Sequence, residues 1–372
     1  MVSAPLRNDE LPESPMVSRP DCMDVGERMA VAPHVAIDEA VLAVMRLRQP
    51  KLPAEAAPDR LAADLDKAAT MFKRRGWISK PSKYHRTPPK LNDADVLRWS
   101  THSGPLGHES MSFASEFDAR SFEPGAGRWP GNGRNDTVTV RLLRRPDSPA
   151  PWVVALHGFG MGSSRFDLNV LWANYLHHKL GYNVALPISP LHGPRRESAD
   201  GQLLSLDLAS MLHGITQAVW DVRRLVSWIR STTDAPVGLY GVSLGGYLST
   251  VLAGLERFDA VAAALPFADP LALLTHHGPP AEYRDVIASD AARAVFQVVS
   301  PLALPTVVAP RDRTLFIAKA DRLIPVEQSQ ALADSWHAEQ VRWVNAGHVG
   351  FTWTRAARGI LGRRFRESLG TA

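Results

Sequence analysis

The sequence predicts an α/β fold: a mostly parallel central sheet with helices on both faces, preceded by a helical amino-terminal extension. Three observations lead to this prediction. Helical patterns occupy much of residues 31–107, strand patterns with alternating polarity begin at residue 108, and short apolar strands then alternate with amphipathic helices. Repeated β-α units of this kind form parallel sheets, because each crossover helix returns the chain to the same edge.

The composition is that of an ordinary globular protein. The chain has 372 residues, 45% of them hydrophobic and 22% charged, enough for one large α/β domain with additional structure. The net charge of +4 is too small to indicate a nucleic-acid partner. The single cysteine, Cys22, excludes an internal disulfide and a multi-cysteine metal site. There is no signal-peptide pattern and no apolar run of bilayer length, so we expect a cytoplasmic protein, with peripheral membrane contact left open.

The amino-terminal region divides into a tail and an extension. Residues 1–30 are polar and aperiodic, which predicts a disordered tail, and residues 31–107 form the helical extension and a basic linker. Two sets of residues have helical spacing: Ile37, Val41, Val44 and Leu47, and then Leu61, Leu65, Ala68 and Phe72.

A basic stretch with interleaved aromatic residues, including Trp77 and Tyr84, runs from Lys73 to Lys90. Such a stretch can bind an anionic membrane surface or a phosphate-rich ligand, but we expect a solvated linker that docks on the main domain.

The main domain is predicted to span residues 108–372. Ser110–Phe117 and Thr137–Leu143 alternate in polarity and predict partly exposed edge strands. The later segments, in chain order, are a strand at Trp152–Leu156, a helix at Phe166–Leu180, a strand at Tyr182–Leu186, a helix at Leu212–Ile229 and strands at Pro236–Tyr240, Val261–Leu265, Leu315–Ala318 and Val341–Val344. Apolar residues between positions 266 and 313 predict a small helical lid, with core helices on the sheet as the alternative.

The segment Gly241-Val242-Ser243-Leu244-Gly245-Gly246 follows a predicted strand and opens a predicted helix. A strand, a sharp turn and a helix are the setting of a G-x-S-x-G nucleophile elbow, which exposes a reactive serine. Glycines flank Ser243 where side chains would collide.

A serine nucleophile needs a base and a carboxylate that orients the base. Asp321 follows one predicted strand and His348 follows the next, in the order Ser, Asp, His. Asp321 as a helix N-cap, with Asp269 as the catalytic acid, is an alternative, and so is His348 as a surface histidine. For the oxyanion we expect the backbone N–H of Leu244 and that of Phe159, which lies in the glycine-rich segment 157–162.

Taken together, these motifs resemble the α/β-hydrolase superfamily over residues 108–368. With the long amino-terminal extension and the segment Leu191–Arg196, the chain is also similar to the group named α/β-hydrolase domain-containing protein 18. The resemblance implies a serine hydrolase that requires no cofactor and no metal. In this fold the loop with His192, Arg195 and Arg196 reaches the active-site side of the sheet, where arginines can bind an anionic substrate or support the loop through ion pairs.

The expected function is hydrolysis of carboxylic esters, of small molecules or lipids, through an acyl-enzyme on Ser243. A peptidase, an amidase or an acyltransferase would use the same residues. The alternatives from other classes are a non-catalytic binding protein on this fold and a membrane-surface scaffold. The sequence does not indicate an oligomeric state.

Overall fold

The structure, a computed structural model, describes residues 23–47, 52–101, 108–129, 133–145, 149–196 and 202–371. Most of the predicted tail, residues 1–22, lies outside these ranges. Its last residues belong to a helix, because helix α1 spans Val25–Leu47.

A nine-stranded sheet in the described residues confirms the predicted fold class. Its order is β1-β2-β3-β5-β4-β6-β7-β8-β9. Antiparallel pairing joins β1 to β2, β2 to β3 and β3 to β5, and all later pairs are parallel. The strands are β1 Leu97–Thr101, β2 His108–Ala114, β3 Thr137–Leu143, β4 Trp152–Leu156, β5 Asn183–Pro187, β6 Val237–Val242, β7 Ala260–Ala264, β8 Arg313–Ala318 and β9 Gln340–Val344.

The antiparallel end of the sheet differs from the prediction. Strand β1 was not predicted, and it lies before residue 108, where we expected the main domain to begin. Because β1 pairs with β2, neither β2 nor β3 is an edge strand. The pattern of β1 is uninformative, since its apolar residues Leu97 and Trp99 are exposed.

The helices cover both faces of the sheet. After α1 they are α2 Pro58–Arg74, α3 Ser164–Val170, α4 Leu208–Thr232, α5 Leu244–Leu252, α6 Pro270–His276, α7 Ala281–Ile287, α8 Asp290–Phe296, α9 Val326–Trp336 and α10 Arg355–Leu369. The single helix predicted at Phe166–Leu180 is wrong: α3 ends at Val170, Trp172 has a φ of 50°, and a wider helical turn follows at Tyr175–Lys179. No helix among the described residues is both long enough and apolar enough to span a bilayer.

Of the two helices in the extension, α2 buries its predicted apolar face and α1 does not. The predicted apolar face of α2 is buried throughout, at Leu61, Leu65, Ala68 and Phe72. The face predicted for α1 is wrong, because Val44 and Leu47 are exposed. The buried stripe of α1 consists of Val31, Asp38 and Leu42, so a carboxylate occupies a core-facing position.

The aromatic residues of the basic stretch are buried rather than presented to solvent. Trp77 and Tyr84 pack against Phe72, with ring centroids 5.0 and 5.2 Å apart, while Lys73 and Lys80 remain exposed. This packing favours the expected linker, docked on the main domain, over a membrane-binding segment.

Helices α6 to α8 occupy the segment predicted as a lid. Tyr283, Val286 and Phe296 are buried in the same apolar core as the sheet and α2. The Tyr283 hydroxyl also donates a hydrogen bond to the carbonyl of Ala56, at 3.1 Å. These contacts favour core helices, tied to the amino-terminal extension, over a free lid.

Candidate active site

The candidate residues lie at one edge of the sheet. The glycine-rich segment 157–162 follows β4, Ser243 follows β6, Asp321 follows β8 and His348 follows β9. These strands are parallel, so the loops after them emerge on the same side, where α/β sheets bind ligands.

Ser243 occupies the sharp turn between β6 and α5. Its φ of 58° and ψ of −118° lie in a region that residues with side chains rarely adopt. The Ser243 N–H donates to the carbonyl of Ala264 at 2.9 Å, which anchors the turn to β7. Ser243 is half-buried, whereas every other residue from Val237 to Leu252 is buried. Ser243 is therefore the residue that this turn exposes to solvent.

Glycines make this turn sterically feasible. A Cβ at Gly241 would overlap the backbone of Gly245, and a Cβ at Gly245 would overlap the carbonyl of Leu156. A Cβ at Gly246 would lie 2.6 Å from the Ala264 oxygen. The absence of these Cβ atoms lets α5 begin directly against the ends of β4 and β7.

His348 and Asp321 are in direct contact. His348 Nδ1 lies 2.7 Å from Asp321 Oδ2, and the other carboxylate oxygen accepts hydrogen bonds from the N–H groups of Leu323 and Ile324. An ionised carboxylate only accepts hydrogen bonds, so Nδ1 carries a proton, and in the neutral ring Nε2 keeps its lone pair. The alternative acid, Asp269, caps α6 through the N–H groups of Leu271 and Ala272.

The electrostatic surroundings favour a protonated His348. Burial lowers the pKa of His348, but the charge and hydrogen bond of Asp321, with a further contribution from Asp38, outweigh burial and leave it above the ordinary value. The site is therefore arranged to stabilise an imidazolium, which forms when a base removes the proton of a serine.

The glycine-rich segment after β4 lies against the serine. A Cβ at Gly158 would be 3.5 Å from Ser243 Cβ. Phe159 is the next residue, and Leu244 begins α5, where the first N–H groups of a helix have no acceptor within it. Both predicted oxyanion donors thus belong to segments that meet at Ser243.

A buried ion pair that the sequence analysis missed fixes the far end of this segment. Arg141 Nη1 lies 2.6 Å from Asp167 Oδ2, while Arg141 Nη2 donates to the Gly162 carbonyl and the Gly162 N–H donates to Asp167 Oδ1. The sequence does contain a signal for this pair, because Arg141 is a charged residue among the buried residues of β3. The pair holds both backbone groups of Gly162 in place.

His192 is buried beside the same segment. Its ring lies 5.7 Å from that of Phe159 and 5.0 Å from that of His157, between centroids. Burial, reinforced by His157, lowers the pKa of His192 to about 3, so the ring is neutral at pH 7. Nδ1 contacts the Pro190 carbonyl at 2.8 Å, and Nε2 has no hydrogen-bond partner among the described residues. His192 therefore adjoins the predicted oxyanion segment, and its substrate-binding role stays a prediction.

Arg195 has the environment of a structural residue. Only 1% of its side chain is exposed, and Nη1 lies 2.8 Å from Asp221 Oδ2. The guanidinium also donates to the carbonyls of Ile188 and Asn135. These contacts favour the loop-support alternative over anion binding for Arg195. Arg196 is half-buried.

The described residues contain no group of three or more His, Cys, Asp or Glu side chains arranged to hold a metal ion.

Comparison with known proteins gives related sequences and folds. A sequence model of the prolyl oligopeptidase family matches residues 221–346. The uncharacterized protein MT2702 of Mycobacterium tuberculosis is 33% identical over 361 residues, covering 94% of this chain and 86% of that protein. The uncharacterized protein Rv2627c from another strain is 32% identical with the same coverage.

Two solved structures are similar at low identity. TT1662 from Thermus thermophilus is 18% identical with a TM-score of 0.47, covering 63% of this chain and 94% of that one. Esterase B from Lactobacillus rhamnosis is also 18% identical, with a TM-score of 0.45 and coverage of 84% and 96%.

The buried arginine yields a stability prediction. Arg195→Ala leaves Asp221 buried without its ion-pair partner, so we expect the free energy of unfolding to fall by about 3–5 kcal/mol in urea denaturation. Arg196→Ala, the matched control, should change it by about 0.5 kcal/mol or less. A stable Arg195→Ala protein with a raised KM for anionic esters would instead support anion binding.

Proposed function

We propose that this chain, which has the α/β-hydrolase fold and belongs to one family with its two uncharacterized mycobacterial relatives, is a serine hydrolase of carboxylic esters. The observation that carries the proposal is the combination of a strained, half-buried Ser243 with a His348–Asp321 pair at the same edge of the sheet. Together, these features supply the nucleophile, the base and the acid of an acyl-transfer site.

In the proposed reaction, His348 Nε2 removes the proton from Ser243 Oγ as Oγ attacks the ester carbonyl carbon. Asp321 holds the ring in the required tautomer and stabilises the imidazolium. The backbone N–H groups of Leu244 and Phe159 donate hydrogen bonds to the tetrahedral oxyanion. The imidazolium then protonates the leaving alkoxide. In the second half of the reaction, His348 removes a proton from water as the water attacks the acyl carbon, and it returns that proton to Ser243 Oγ as the acyl group leaves.

A peptidase is the second candidate function. The match to the prolyl oligopeptidase family favours it, and the matched residues 221–346 include Ser243 and Asp321. Amide hydrolysis uses the same nucleophile and base, so the two candidates differ in the substrate pocket rather than in the catalytic residues. Parallel assays with p-nitrophenyl esters of graded chain length and with aminoacyl p-nitroanilides separate them.

Replacing the nucleophile tests the proposed function. Ser243→Ala should lower kcat for p-nitrophenyl esters by several orders of magnitude, on the order of the 10⁶-fold loss seen when other triads lose their serine. The control is Ser249→Ala on the same helix, whose hydroxyl donates to the Gly245 carbonyl, and it should keep most of the activity. Esterase activity that survives in Ser243→Ala would refute the acyl-enzyme, and an inert, folded wild type would favour a non-catalytic binding protein.

The pH dependence of kcat/KM tests whether Asp321 is the acid. The neutral form of His348 is the base, and its pKa is raised mainly by Asp321 against the effect of burial, so kcat/KM should fall as the pH drops through a value above 6.5. Asp321→Asn removes the charge, so this acid limb should move to lower pH while kcat falls on the order of 10⁴-fold. Asp269→Asn removes only a helix cap and should leave the limb in place. The reverse ranking would make Asp269 the acid.

A further inference from the structure

Helix α1 places a buried carboxylate on the backbone of both catalytic loops. Asp38 is fully buried, and its Oδ2 accepts hydrogen bonds from the N–H groups of His348, at 2.7 Å, and Arg322, at 3.2 Å. Its Oδ1 accepts a third from the N–H of Val349 at 3.0 Å. The three donors are the proposed base itself, the residue after it and the residue after the proposed acid.

The base loop is shaped to receive this helix. A Cβ at Gly347 would lie 2.7 Å from Asp38 Oδ2, and a Cβ at Gly350 would overlap the ring of His34, one turn earlier on α1. The glycines on either side of His348 therefore allow α1 to approach the loop closely. A larger residue at either position would force these side chains or the helix itself to shift.

Ion pairs attach α1 to the same two loops. Glu27 Oε1 lies 3.1 Å from Lys319 Nζ and 3.2 Å from Asn345 Nδ2, and Glu39 Oε1 lies 2.8 Å from Arg322 Nε. These contacts are exposed or partly exposed, so each contributes little by itself. Asp38 differs because it is buried, and a buried carboxylate requires several hydrogen bonds to be tolerated.

Among the described residues, the Asp38 side chain makes its hydrogen bonds outside its own helix. It lies in the middle of α1, far from either end, and its described hydrogen bonds go to the acid and base loops. One carboxylate thus joins two loops that follow adjacent parallel strands and whose relative position determines the contact between Asp321 and His348. A shift of about 1 Å in such a contact can reduce a reaction rate by about 10²-fold.

We propose that Asp38 is a positioning residue of the active site, which holds the acid and base loops together and makes the amino-terminal helix a required part of the catalytic machinery. This inference rests on the proposed function. Its structural basis is the set of three backbone hydrogen bonds at 2.7, 3.0 and 3.2 Å.

The pKa of His348 provides a separate test of this role. The charged and titratable groups that act on His348 are Asp321, Asp38 and, from the end of α6, His277. Burial lowers the pKa of His348, whereas the two carboxylates raise it. Removing the Asp38 charge should therefore lower that pKa, which a purely structural contact would not do.

The experiment compares Asp38→Asn with Asp66→Asn, which changes an exposed carboxylate on α2. Asparagine keeps the size of Asp38 but replaces one acceptor oxygen with an NH₂ group facing N–H donors. We expect kcat for a p-nitrophenyl ester to fall about 10²-fold with little change in KM, and the acid limb of kcat/KM to move to lower pH. Asp66→Asn should leave kcat and the limb at their wild-type values.

Two further measurements make the outcome decisive. NMR titration of the His348 imidazole in the Ser243→Ala background needs no activity, so it tests Asp38 even if the wild type proves inert and the proposed function fails. If Asp38→Asn does not fold, Asp38→Glu replaces it: the charge is kept and the longer side chain displaces the loops, so kcat should fall while the acid limb stays. A wild-type kcat in a folded Asp38 variant, or an unchanged pKa of His348 in Asp38→Asn with only a lower Tm, would overturn the proposal.

Discussion

The turn at Ser243 is the constraint on which the rest of the site depends. A non-glycine residue at a φ of 58° and a ψ of −118° costs about 1–3 kcal/mol, and it persists only where the surrounding structure determines it completely. Here the glycines at 241 and 245 let α5 begin against the strand ends, and the hydrogen bond to Ala264 fixes the turn to β7. The segment after β4 and the loops after β8 and β9 lie at the same edge of the sheet as this turn.

The amino-terminal extension is integrated with the hydrolase core at two places. Helix α2 packs its buried face on the helices inserted after β7, within the main apolar core. Helix α1 instead contacts the loops that carry the candidate acid and base. The extension thus supports the active-site side of the molecule rather than forming a separate unit. Under the proposed mechanism, loss of α1 would expose the catalytic loops and leave their backbone N–H groups without an acceptor.

The sequence predicts the sheet, the strand–turn–helix at Ser243 and the pairing of Asp321 with His348, because each depends on a local pattern and on the fixed direction of parallel strands. It does not predict the partners of isolated charged residues. Asp38 reaches backbone groups 284 and 310 positions away, and no spacing in α1 marks it. From the sequence, Arg195 can bind substrate or support its loop, and the choice depends on its ion pair with Asp221 on α4, which no local pattern indicates. Strand β1 was missed because pairing with β2, rather than burial, maintains it.

The most direct test of the account is covalent labelling with a fluorophosphonate, followed by peptide mass spectrometry. The reagent reacts only with a serine that has been activated by a neighbouring base. The account predicts a single adduct on the peptide that contains Ser243 in the wild-type protein and none in Ser243→Ala. An adduct on a different serine, or no adduct on folded wild-type protein, would contradict it.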